Sequence, residues 1–391
     1  MTPGKEIIYL DDAATTPVDP VVAEAMQRCL SGGGAFANPS SIHIAGRASR
    51  AQVERSRAQV AKLLNTAPGN LVFTSGATES NNLAIAGAAR FRSHRGRHLV
   101  SMPTEHKAVT DCFAALEREG FEVTWLEPDQ RGLLPIGDLE AAIRPDTQLV
   151  SIMHVNNETG VIQDIHQIGD ACRRHGVLFH CDAAQSAGKL PIDLSALPVD
   201  LMSLTGHKFY GPQGIGALYL ADRPECRIRP LFHGGGQERR LRPGTLPVHQ
   251  VVGLGAAAAI AVERQPDDLA HAERLNARLW KGIRDVRGIT RNGDPGHCFP
   301  GILNVSIDGI DGESLMLALE PLCVATGSAC NSQSGEPSYV LRALKLTDRL
   351  AQSAIRFSFG RFTHESDIDA AIGVYTGAVD RLRSIMPKAT A

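Results

Sequence analysis

The sequence predicts an α/β protein with a large domain built on a mostly parallel seven-stranded sheet and a smaller α+β domain. Short β-rich runs alternate with helical patterns, which is typical of a parallel sheet covered by helices on both faces. The helices have readable ends. Asp19 and Pro20 are typical of an N-cap and a first helical residue, and Gly176 ends a helix whose buried face carries Ile168 and Cys172. With 43% apolar and 21% charged residues, the composition fits a globular protein with a full core.

The strands of the predicted large sheet are the runs 71–74, 98–101, 121–126, 148–153, 177–181, 199–204 and 215–220. Beyond residue 262, a charged helical stretch at 263–287 precedes strands at 302–307 and 354–359 and a final amphipathic helix. We therefore predict a large domain at 16–262. The small domain is formed by 1–15 and 263–391 and carries Cys330 and Arg356.

The charge balance and the apolar pattern argue against several classes of protein. Lys plus Arg is 40 and Asp plus Glu is 42, a formal net charge of −2, which is not the charge of a polybasic nucleic-acid or membrane-surface binder. The longest apolar run, 251–262, is shorter than the roughly 20 residues that span a bilayer. The first residues lack the pattern of a secretory leader.

The eight cysteines contain no C-x-x-C pair, so no zinc site and no thioredoxin-like motif is predicted. Scattered cysteines in a chain without a leader indicate reduced thiols and a cytoplasmic protein. We expect all of them except Cys330 to fill the core. Cys330 lies among Gly, Ser, Ala, Asn and Gln, a polar setting in which an exposed thiolate can react.

The residues after each strand are the first candidates for a site, because open α/β sheets bind ligands at the carboxyl ends of their strands. Ser75-Gly76-Ala77-Thr78 follows the run 71–74 and precedes a helix. Free N–H groups at a helix N-terminus favour a phosphate, so Ala77 and Thr78 are candidate phosphate contacts. The alternative is an ordinary helix cap by Thr78.

Two later strand ends carry an acid and a lysine. Asp182 follows the run 177–181 among small residues, where it either pairs with a buried cation or caps a helix. Lys208 stands between a strand end and a glycine-rich hairpin. Desolvation turns such a lysine into a Schiff-base nucleophile, whereas a solvated loop lysine is the alternative. A phosphate site, an acid and then a lysine, in this order, point to pyridoxal 5′-phosphate (PLP).

Further polar residues fit the same site. His106 either stacks on an aromatic cofactor or caps a helix, and Asn157 either bonds a ring oxygen or makes a turn. The loop 233–245, HGGGQERRLRPGT, either adds phosphate donors or is merely flexible. Arg356 lies in an apolar strand pattern, where an unpaired guanidinium is costly, so it binds either a substrate carboxylate or a structural acid.

These motifs resemble those of the cysteine desulfurases of the IscS/NifS type, within the class V aminotransferase group of fold type I PLP-dependent transferases. The resemblance extends from Tyr9 to about Arg383. It rests on SGATESNN, TEHKAV, NNETG, the DAAQS and GHK pair, HGGGQERRLRPGTLPVHQ, GSAC and IRFSFGRF. The stretch around Cys330, GSACNSQSGEPSYV, resembles the long-loop subgroup of that family.

The resemblance implies a role for each matching residue. Lys208 resembles the lysine that carries the cofactor, Asp182 the partner of the pyridine nitrogen, and His106 the histidine that stacks on the ring and takes part in catalysis. Gln185 and Asn157 resemble the residues that contact the ring oxygen. The implied phosphate contacts are Ala77, Thr78, Thr205 and His207. Thr245 resembles a phosphate ligand donated by the neighbouring protomer, which implies a homodimer.

The implied substrate is L-cysteine. Arg356, with Asn157 and Asn38, resembles the site for its carboxylate, and Cys330 resembles the nucleophile that takes its sulfur as a persulfide and leaves L-alanine. The sulfur then passes to an acceptor protein, for iron–sulfur cluster assembly or tRNA thiolation. No resident metal, direct nucleic-acid contact or membrane contact is expected, although Cys330 contacts an iron–sulfur cluster transiently in such a role.

Three other activities remain open at this point. An aminotransferase or a selenocysteine lyase uses Lys208, Asp182 and Arg356 identically, and only the aminotransferase needs no Cys330. A non-catalytic sulfur- or metal-binding assembly partner is the third alternative, but no spacing of ligands supports it. Family members devoted to iron–sulfur assembly often continue well beyond the position of Ala391, so the sequence does not predict docking of a standard scaffold protein.

Overall fold

The computed structural model describes residues 7–326 and 336–385. Its strands are β1 Ile8–Tyr9, β2 Leu71–Thr74, β3 His98–Ser101, β4 Glu122–Trp125, β5 Thr147–Ser151, β6 Leu178–Asp182, β7 Leu201–Thr205, β8 Gly216–Leu220, β9 Ile289–Arg291, β10 Ile302–Ile307, β11 Leu322–Cys323, β12 Ala325–Thr326 and β13 Ile355–Ser358. Its α-helices are α1 Pro20–Gln27, α2 Ile44–Leu63, α3 Ala77–Arg92, α4 Lys107–Arg118, α5 Ile136–Ala142, α6 Ile165–Arg174, α7 Val248–Ile283, α8 Gly312–Ala318, α9 Tyr339–Ala343, α10 Asp348–Gln352 and α11 Glu365–Ile385.

The larger sheet has seven strands, as the sequence predicts, and their order is β2-β8-β7-β6-β5-β3-β4. From β7 to β4 all neighbours are parallel, whereas β8 is antiparallel to both β7 and β2. Because both β2 and β7 are antiparallel to β8, they run in the same direction and end at the same edge of the sheet. Gly216, the first residue of β8, pairs with both Thr74 and Thr205, the last residues of those two strands. This edge carries the candidate site.

Helix α7 is the largest difference from the prediction. It begins at Val248, well before the charged stretch from residue 263 that predicted a helix. Its first half packs against α1 and α2 and is apolar on most sides, so no amphipathic period marks it in the sequence. The predicted domain boundary at residue 262 falls inside this helix, and the division into two domains stays a prediction. Neither α7 nor any other helix in the described residues combines the length and apolar composition needed to cross a membrane.

A second sheet, in the order β12-β13-β10-β9, packs against the last part of α7 and against α8 and α11. Its core includes Leu303, Phe357 and Tyr375. Leu10 belongs to the same core, and β1 pairs in parallel with β11, so the N-terminal segment runs alongside elements near the other end of the chain. That segment then continues into the candidate site.

The cysteines follow the prediction only in part. Cys29, Cys112, Cys172, Cys181 and Cys226 are buried, but Cys298 and Cys323 are partly exposed. The expectation that these last two fill the core is wrong, because Cys298 lies in an isolated bridge to Val161 and Cys323 lies on the two-residue strand β11. Cys330 lies outside the described residues.

Candidate active site

A cavity of about 640 Å³ lies at the carboxyl edge of the large sheet. It receives residues from the ends of β6 and β7, from the start of α3 and from β13. The predicted site residues that line it are Ala77, Thr78, His106, Asn157, Asp182, Gln185, Thr205, His207, Lys208 and Arg356. Motifs that are far apart in the sequence therefore meet at one place.

The N-terminus of α3 forms one end of the cavity. Gly76 precedes the helix with a φ of 151°, a backbone angle that favours glycine. The first N–H groups of a helix have no acceptor within it, and Ala77 and Thr78 line the cavity, so this end suits an anion. The alternative of a cap by Thr78 is wrong, because the N-cap residue is Gly76 and no side chain caps this helix.

The hydroxyl of Thr205 lies close to this end. A Cβ added to Gly76 would come within 3.5 Å of Thr205 Oγ1, which places the threonine beside the backbone that begins α3. A Cβ on Gly216 would come within 2.7 Å of the Gly76 Cα. Glycine at position 216 therefore lets β8 and the loop before α3 approach each other, beside the paired ends of β2 and β7.

Glu79 ties the predicted glycine-rich loop to the start of α3. Its carboxylate accepts hydrogen bonds from the Ser75 N–H at 2.7 Å and from Arg242 Nε at 2.9 Å. Burial raises the pKa of Glu79, but the bonds from Arg242 and Ser75 outweigh it and hold the pKa below its ordinary value. Glu79 is therefore ionised, and Arg242 is paired with it.

Asp182 is held on both sides of its carboxylate. The residue ends β6 and is 4% exposed. Asn81 Nδ2 donates to Asp182 Oδ2 at 2.6 Å, and the Ala184 N–H donates to Oδ1 at 2.9 Å. The carboxylate is thus oriented beside the cavity, where it suits a protonated ring nitrogen. The alternative of a helix cap is wrong, because a turn and not a helix follows β6, and the bond from Ala184 stabilises that turn.

Lys208 follows β7 in a short 3₁₀ turn, Gly206–Lys208. Its Nζ donates to the carbonyl of Ala13 and, at 2.8 Å, to that of Ala14. The side chain is partly buried and lines the cavity, so the alternative of a solvated loop lysine is wrong. The N-terminal segment thus orients the amine beside the same cavity as Asp182.

The helix-cap alternative for His106 is correct, and its stacking on a cofactor stays a prediction. It is the N-cap of α4, where its Nδ1 accepts from the Ala108 N–H at 3.1 Å, and it also lines the cavity. Burial lowers its pKa, and Lys208 lowers it further, against the opposing effect of Asp182. A histidine whose Nδ1 accepts carries its proton on Nε2 when neutral. The ring is therefore a neutral imidazole with its donor on Nε2.

His207 is also neutral. Burial lowers its pKa to about 4, with further lowering by Lys208 and Lys189. Its Nδ1 lies 3.1 Å from Thr15 Oγ1, which links it to the N-terminal segment. A neutral histidine offers one N–H donor and adds no charge to the site.

Gln185 has both ends of its amide engaged. Its Nε2 donates to the Ala13 carbonyl at 2.8 Å, and its Oε1 accepts from Lys189 Nζ at 3.2 Å. An amide nitrogen has two N–H groups, so one donor is left for a ligand in the cavity. The acceptor of Gln185 already has a partner.

Arg356 contacts both a protein acid and the candidate site. It is 3% exposed and donates from Nη1 to the Asn157 carbonyl and from Nη2 to Asp11 Oδ1, each at 2.7 Å. Arg356 Nε and Asn157 Oδ1 are buried and have no hydrogen-bond partner among the described residues. The alternative of a structural ion pair is therefore correct, and polar atoms of both residues remain for a ligand.

Two predicted residues lie away from the cavity of their own chain. Thr245 is exposed, as is Asn38, whose Oδ1 accepts from the Ser40 N–H at 2.9 Å. Thr245 was predicted to serve a neighbouring protomer, so its position here does not test that role. Cys330 lies outside the described residues, and its role stays a prediction.

Sequence reasoning missed several residues that hold the site together. Asn81 lies four positions after Ala77, on the same face of α3, and this spacing was the available signal. The carbonyl groups of Ala13 and Ala14 have no signature in a sequence. Asp11 bonds Arg356 and Lys189 bonds Gln185, so each acts on the site through a neighbouring residue.

Comparison with known proteins identifies the family. The model of the family described as aminotransferase class-V matches residues 8–371. The chain belongs to the class-V aminotransferase family, among the cysteine desulfurases of the IscS type. The resemblance inferred from its motifs is thereby confirmed, and so is the predicted fold class.

Several known proteins are similar to this chain over almost its whole length. The cysteine desulfurase IscS of Enterobacter sp. (strain 638) is 55% identical over 381 residues, which cover 97% of this chain and 94% of the relative. A solved NifS-like protein is 35% identical with a TM-score of 0.90 and covers 96% of this chain and 100% of its own. A structure of SspA in complex with cysteine is 39% identical with a TM-score of 0.81 and covers 91% and 99%.

Class-V aminotransferases and cysteine desulfurases are PLP enzymes, and the cavity fits that cofactor. The start of α3 suits the phosphate, the oriented carboxylate of Asp182 suits the ring nitrogen, and Lys208 supplies the amine. The buried Asn157 Oδ1, without a partner among the described residues, is the atom that most clearly calls for a polar ligand. No acidic or sulfur-ligand cluster that could hold a metal occurs among the described residues.

Proposed function

We propose that this protein is a cysteine desulfurase that uses PLP to remove sulfur from L-cysteine. The products are L-alanine and a persulfide on Cys330, which passes its sulfur to an acceptor protein. The observation that carries the proposal is the convergence of Lys208, Asp182 and Arg356 on one cavity, in a chain 55% identical to curated cysteine desulfurases IscS.

In this proposal each side of the cavity holds one part of the cofactor. Lys208 bonds covalently to it and Asp182 pairs with its ring nitrogen, while His106 stacks on the ring. The remaining contacts are Asn157 and Gln185 to the ring oxygen and Ala77, Thr78, Thr205 and His207 to the phosphate. When bound, PLP supplies an electron sink that stabilises negative charge on the substrate carbon.

Arg356 binds the carboxylate of L-cysteine. Its guanidinium has five N–H groups, of which Asp11 and the Asn157 carbonyl occupy two, so donors remain for a substrate. Asn157 contributes its side chain, whereas Asn38, the other residue predicted for this carboxylate, is exposed and does not line the cavity of its own chain. The buried position of Arg356 strengthens the ion pair, because little water competes for it.

Lys208 moves the proton of the substrate. As a neutral amine, its Nζ would accept the Cα proton of the substrate. The carbonyl groups of Ala13 and Ala14 keep Nζ oriented in the cavity. His106, neutral and with its donor on Nε2, provides a second group that can exchange a proton at the site.

Cys330 accepts the sulfur. Its thiolate attacks the sulfur of the substrate, so that an S–S bond forms while the Cβ–S bond breaks and Cβ keeps the electron pair. A proton added to Cβ and a proton returned to Cα by Lys208 complete L-alanine, and Cys330 is left as the persulfide. The persulfide then donates its outer sulfur to a protein for iron–sulfur cluster assembly or tRNA thiolation, with Cys330 contacting a cluster only transiently.

The same proposal includes a homodimer in the cytoplasm. Thr245 is exposed and lies outside the cavity of its own chain, as expected of a residue that reaches the phosphate of a second copy. Its loop is tied to the start of α3 through Arg242 and Glu79. The orientation of this loop is therefore coupled to the phosphate end of its own cavity.

The test is to incubate the PLP-loaded protein with L-cysteine without reductant and to measure alanine and the mass of the peptide containing Cys330. One alanine per site and one added sulfur on that peptide are expected. Cys330→Ser should abolish turnover of L-cysteine while the yellow cofactor remains. Cys323→Ser, which changes another cysteine outside the core, is the matched control and should keep turnover.

Each contrary result points to a different activity. Turnover of L-cysteine at the unchanged rate in Cys330→Ser would exclude Cys330 as the nucleophile. Transfer of the amino group without release of sulfur would identify an aminotransferase, which is the second candidate. A protein that binds no PLP would favour a non-catalytic assembly partner.

A further inference from the structure

We propose that Lys189 is a positioning residue that fixes the amide of Gln185, so that Gln185 presents an N–H donor, and not its carbonyl, to the ring oxygen of the cofactor. This inference rests on the proposed PLP site. Lys189 itself does not line the main cavity, whereas Gln185 does. It therefore acts on the site through its neighbour.

The partners of Gln185 determine which way its amide faces. The ammonium of Lys189, 3.2 Å from Gln185 Oε1, can only donate. The carbonyl of Ala13, 2.8 Å from Nε2, can only accept. A flipped amide would lose both bonds at once, because it would place its nitrogen against a cation and its oxygen against a carbonyl. The remaining Nε2–H is then the group available to the cavity.

Lys189 is itself held in place. Its Nζ lies 5.4 Å from the centre of the Phe299 ring, within range of a cation–π interaction. With Asp12, Tyr210 and Asp268 it lines a small cavity of about 30 Å³ behind the site. Burial lowers the pKa of Lys189 to about 8, with Asp12 opposing and Arg356 adding to the effect. The charged groups around it are thus Asp12, Asp268 and Arg356, and the neutral His207, whose pKa Lys189 lowers, also faces it.

A chain of contacts links Lys189 to the reactive lysine. The carbonyl of Ala13 accepts from both Gln185 and Lys208. Fixing the Gln185 amide therefore also fixes the carbonyl that orients Lys208 Nζ. A donor to the ring oxygen stabilises negative charge there, and this lowers the pH at which the cofactor bound to Lys208 loses its proton.

The experiment is a titration of the visible absorption band of the PLP-loaded protein. Lys189→Met should move the midpoint upward by about one pH unit, because the ring oxygen loses a fixed donor. Its dissociation constant for PLP should rise severalfold. Lys189→Arg, which keeps a charged donor, should restore a midpoint near that of the unchanged protein. Lys345→Met removes an exposed lysine paired with Glu127 and should shift neither value.

A double-mutant comparison tests the route of the effect. In a Gln185→Ala background, Lys189→Met should shift the midpoint by less than about a quarter of a unit, because the group through which Lys189 acts is gone. A full shift in that background would show that the charge of Lys189 acts on the cofactor directly and not through Gln185, and this would overturn the proposal. An unchanged midpoint in Lys189→Met itself would also overturn it.

Folding and cofactor binding are checked separately. The thermal melting of each apoprotein, compared with that of the unchanged apoprotein, reports whether the variant folds. If Lys189→Met does not fold, Lys189→Leu, which also lacks a donor, carries the test, with the same upward shift expected and an unchanged midpoint overturning the proposal. An unchanged protein without any visible band on addition of PLP would reject the proposed function and, with it, this inference.

Discussion

Arg356 on β13 donates from Nη2 to Asp11 Oδ1 across 2.7 Å, and the two residues are 345 positions apart in the chain. The Asn157 carbonyl fixes the other terminal nitrogen of the guanidinium. Asp11 therefore orients the arginine from behind while leaving other N–H groups for a carboxylate. The proposed binding of the substrate carboxylate and the anchoring of the N-terminal segment thus depend on the same arginine.

Removal of Asp11 should weaken substrate binding. Asp11→Ala is expected to raise KM for L-cysteine about tenfold with little change in kcat, because a less oriented arginine binds the carboxylate less well. Asp11→Asn keeps an oxygen acceptor and should have a smaller effect. Steady-state kinetics measure both, with Asp308→Ala, the exposed partner of Arg349, as the control. A fall in kcat at constant KM would contradict this role.

Asn81 and Asn82 form a matched pair of variants on α3. Asn81→Ala removes the 2.6 Å bond to Asp182 and should lower kcat about tenfold, as expected for loss of a hydrogen bond to a charged group. Asn82 donates instead to the carbonyls of Thr78 and Ala108, so Asn82→Ala should change kcat much less. Equal losses in both variants would show that only the helix, and not Asp182, is affected.

Buried histidines make the fold sensitive to acid. Burial lowers the pKa of His154 to about 4. In the unfolded chain the pKa of histidine is about 6.5. Below that pH the unfolded state therefore binds a proton that the folded state does not. The free energy of unfolding contributed by His154 is therefore complete above about pH 6.5 and falls as the pH drops towards about 4.

This contribution is measurable by urea unfolding at about pH 7 and about pH 5. His154→Asn should reduce the loss of unfolding free energy between these conditions by about 2 kcal/mol. His175→Asn changes an exposed histidine and serves as the control. The same pH dependence in His154→Asn as in the unchanged protein would rule out this source of acid sensitivity.

The ion pair of Arg57 and Glu238 should contribute more to the free energy of unfolding than an exposed ion pair does. Glu238 accepts from Arg57 at 2.6 Å and from the Phe73 N–H at 2.7 Å, and it belongs to a left-handed stretch that includes Arg239 and Arg240. Glu238→Ala removes the buried partner of Arg57, which keeps its bonds to the exposed Glu54 and the Leu71 carbonyl, and it leaves the Phe73 N–H without its acceptor. It should lower the free energy of unfolding by roughly 3–5 kcal/mol.

The control for this prediction is the exposed pair of Arg342 and Asp348. Asp348→Ala should cost less than about 1 kcal/mol, since exposed ion pairs contribute little. Chemical denaturation measures both variants. Comparable losses would mean that Arg57 finds other partners when Glu238 is removed.

The sequence predicts the strands of the large sheet well, because each is a short apolar run bounded by turn residues. The runs 71–74, 98–101 and 302–307 agree with β2, β3 and β10 residue for residue. The start of α7 was not predictable in the same way, because a helix buried on most sides has no amphipathic period. The motifs likewise brought Asp182 and Lys208 to one site, since both follow parallel strands.

The partners of these residues were harder to predict. An asparagine such as Asn81 inside a polar helix start has the same appearance whether it faces solvent or a buried acid. The pairing of Asp11 with Arg356 and of Lys189 with Gln185 depends on the tertiary fold, and the carbonyl of Ala13 has no identity in a sequence. Residue type indicates what chemistry is present, and packing decides which atoms meet.

The contact between Asp11 and Arg356 also bears on how the protein is made. Ribosomes add about 5–20 residues per second, so the 345 positions between the two residues take on the order of tens of seconds to synthesise. During that time Asp182 and Lys208 have been synthesised, but Arg356 has not. A nascent chain therefore possesses the residues proposed to hold the cofactor well before Arg356, and the pairing of Asp11 with Arg356 forms only after nearly all of the cavity's other residues have been synthesised.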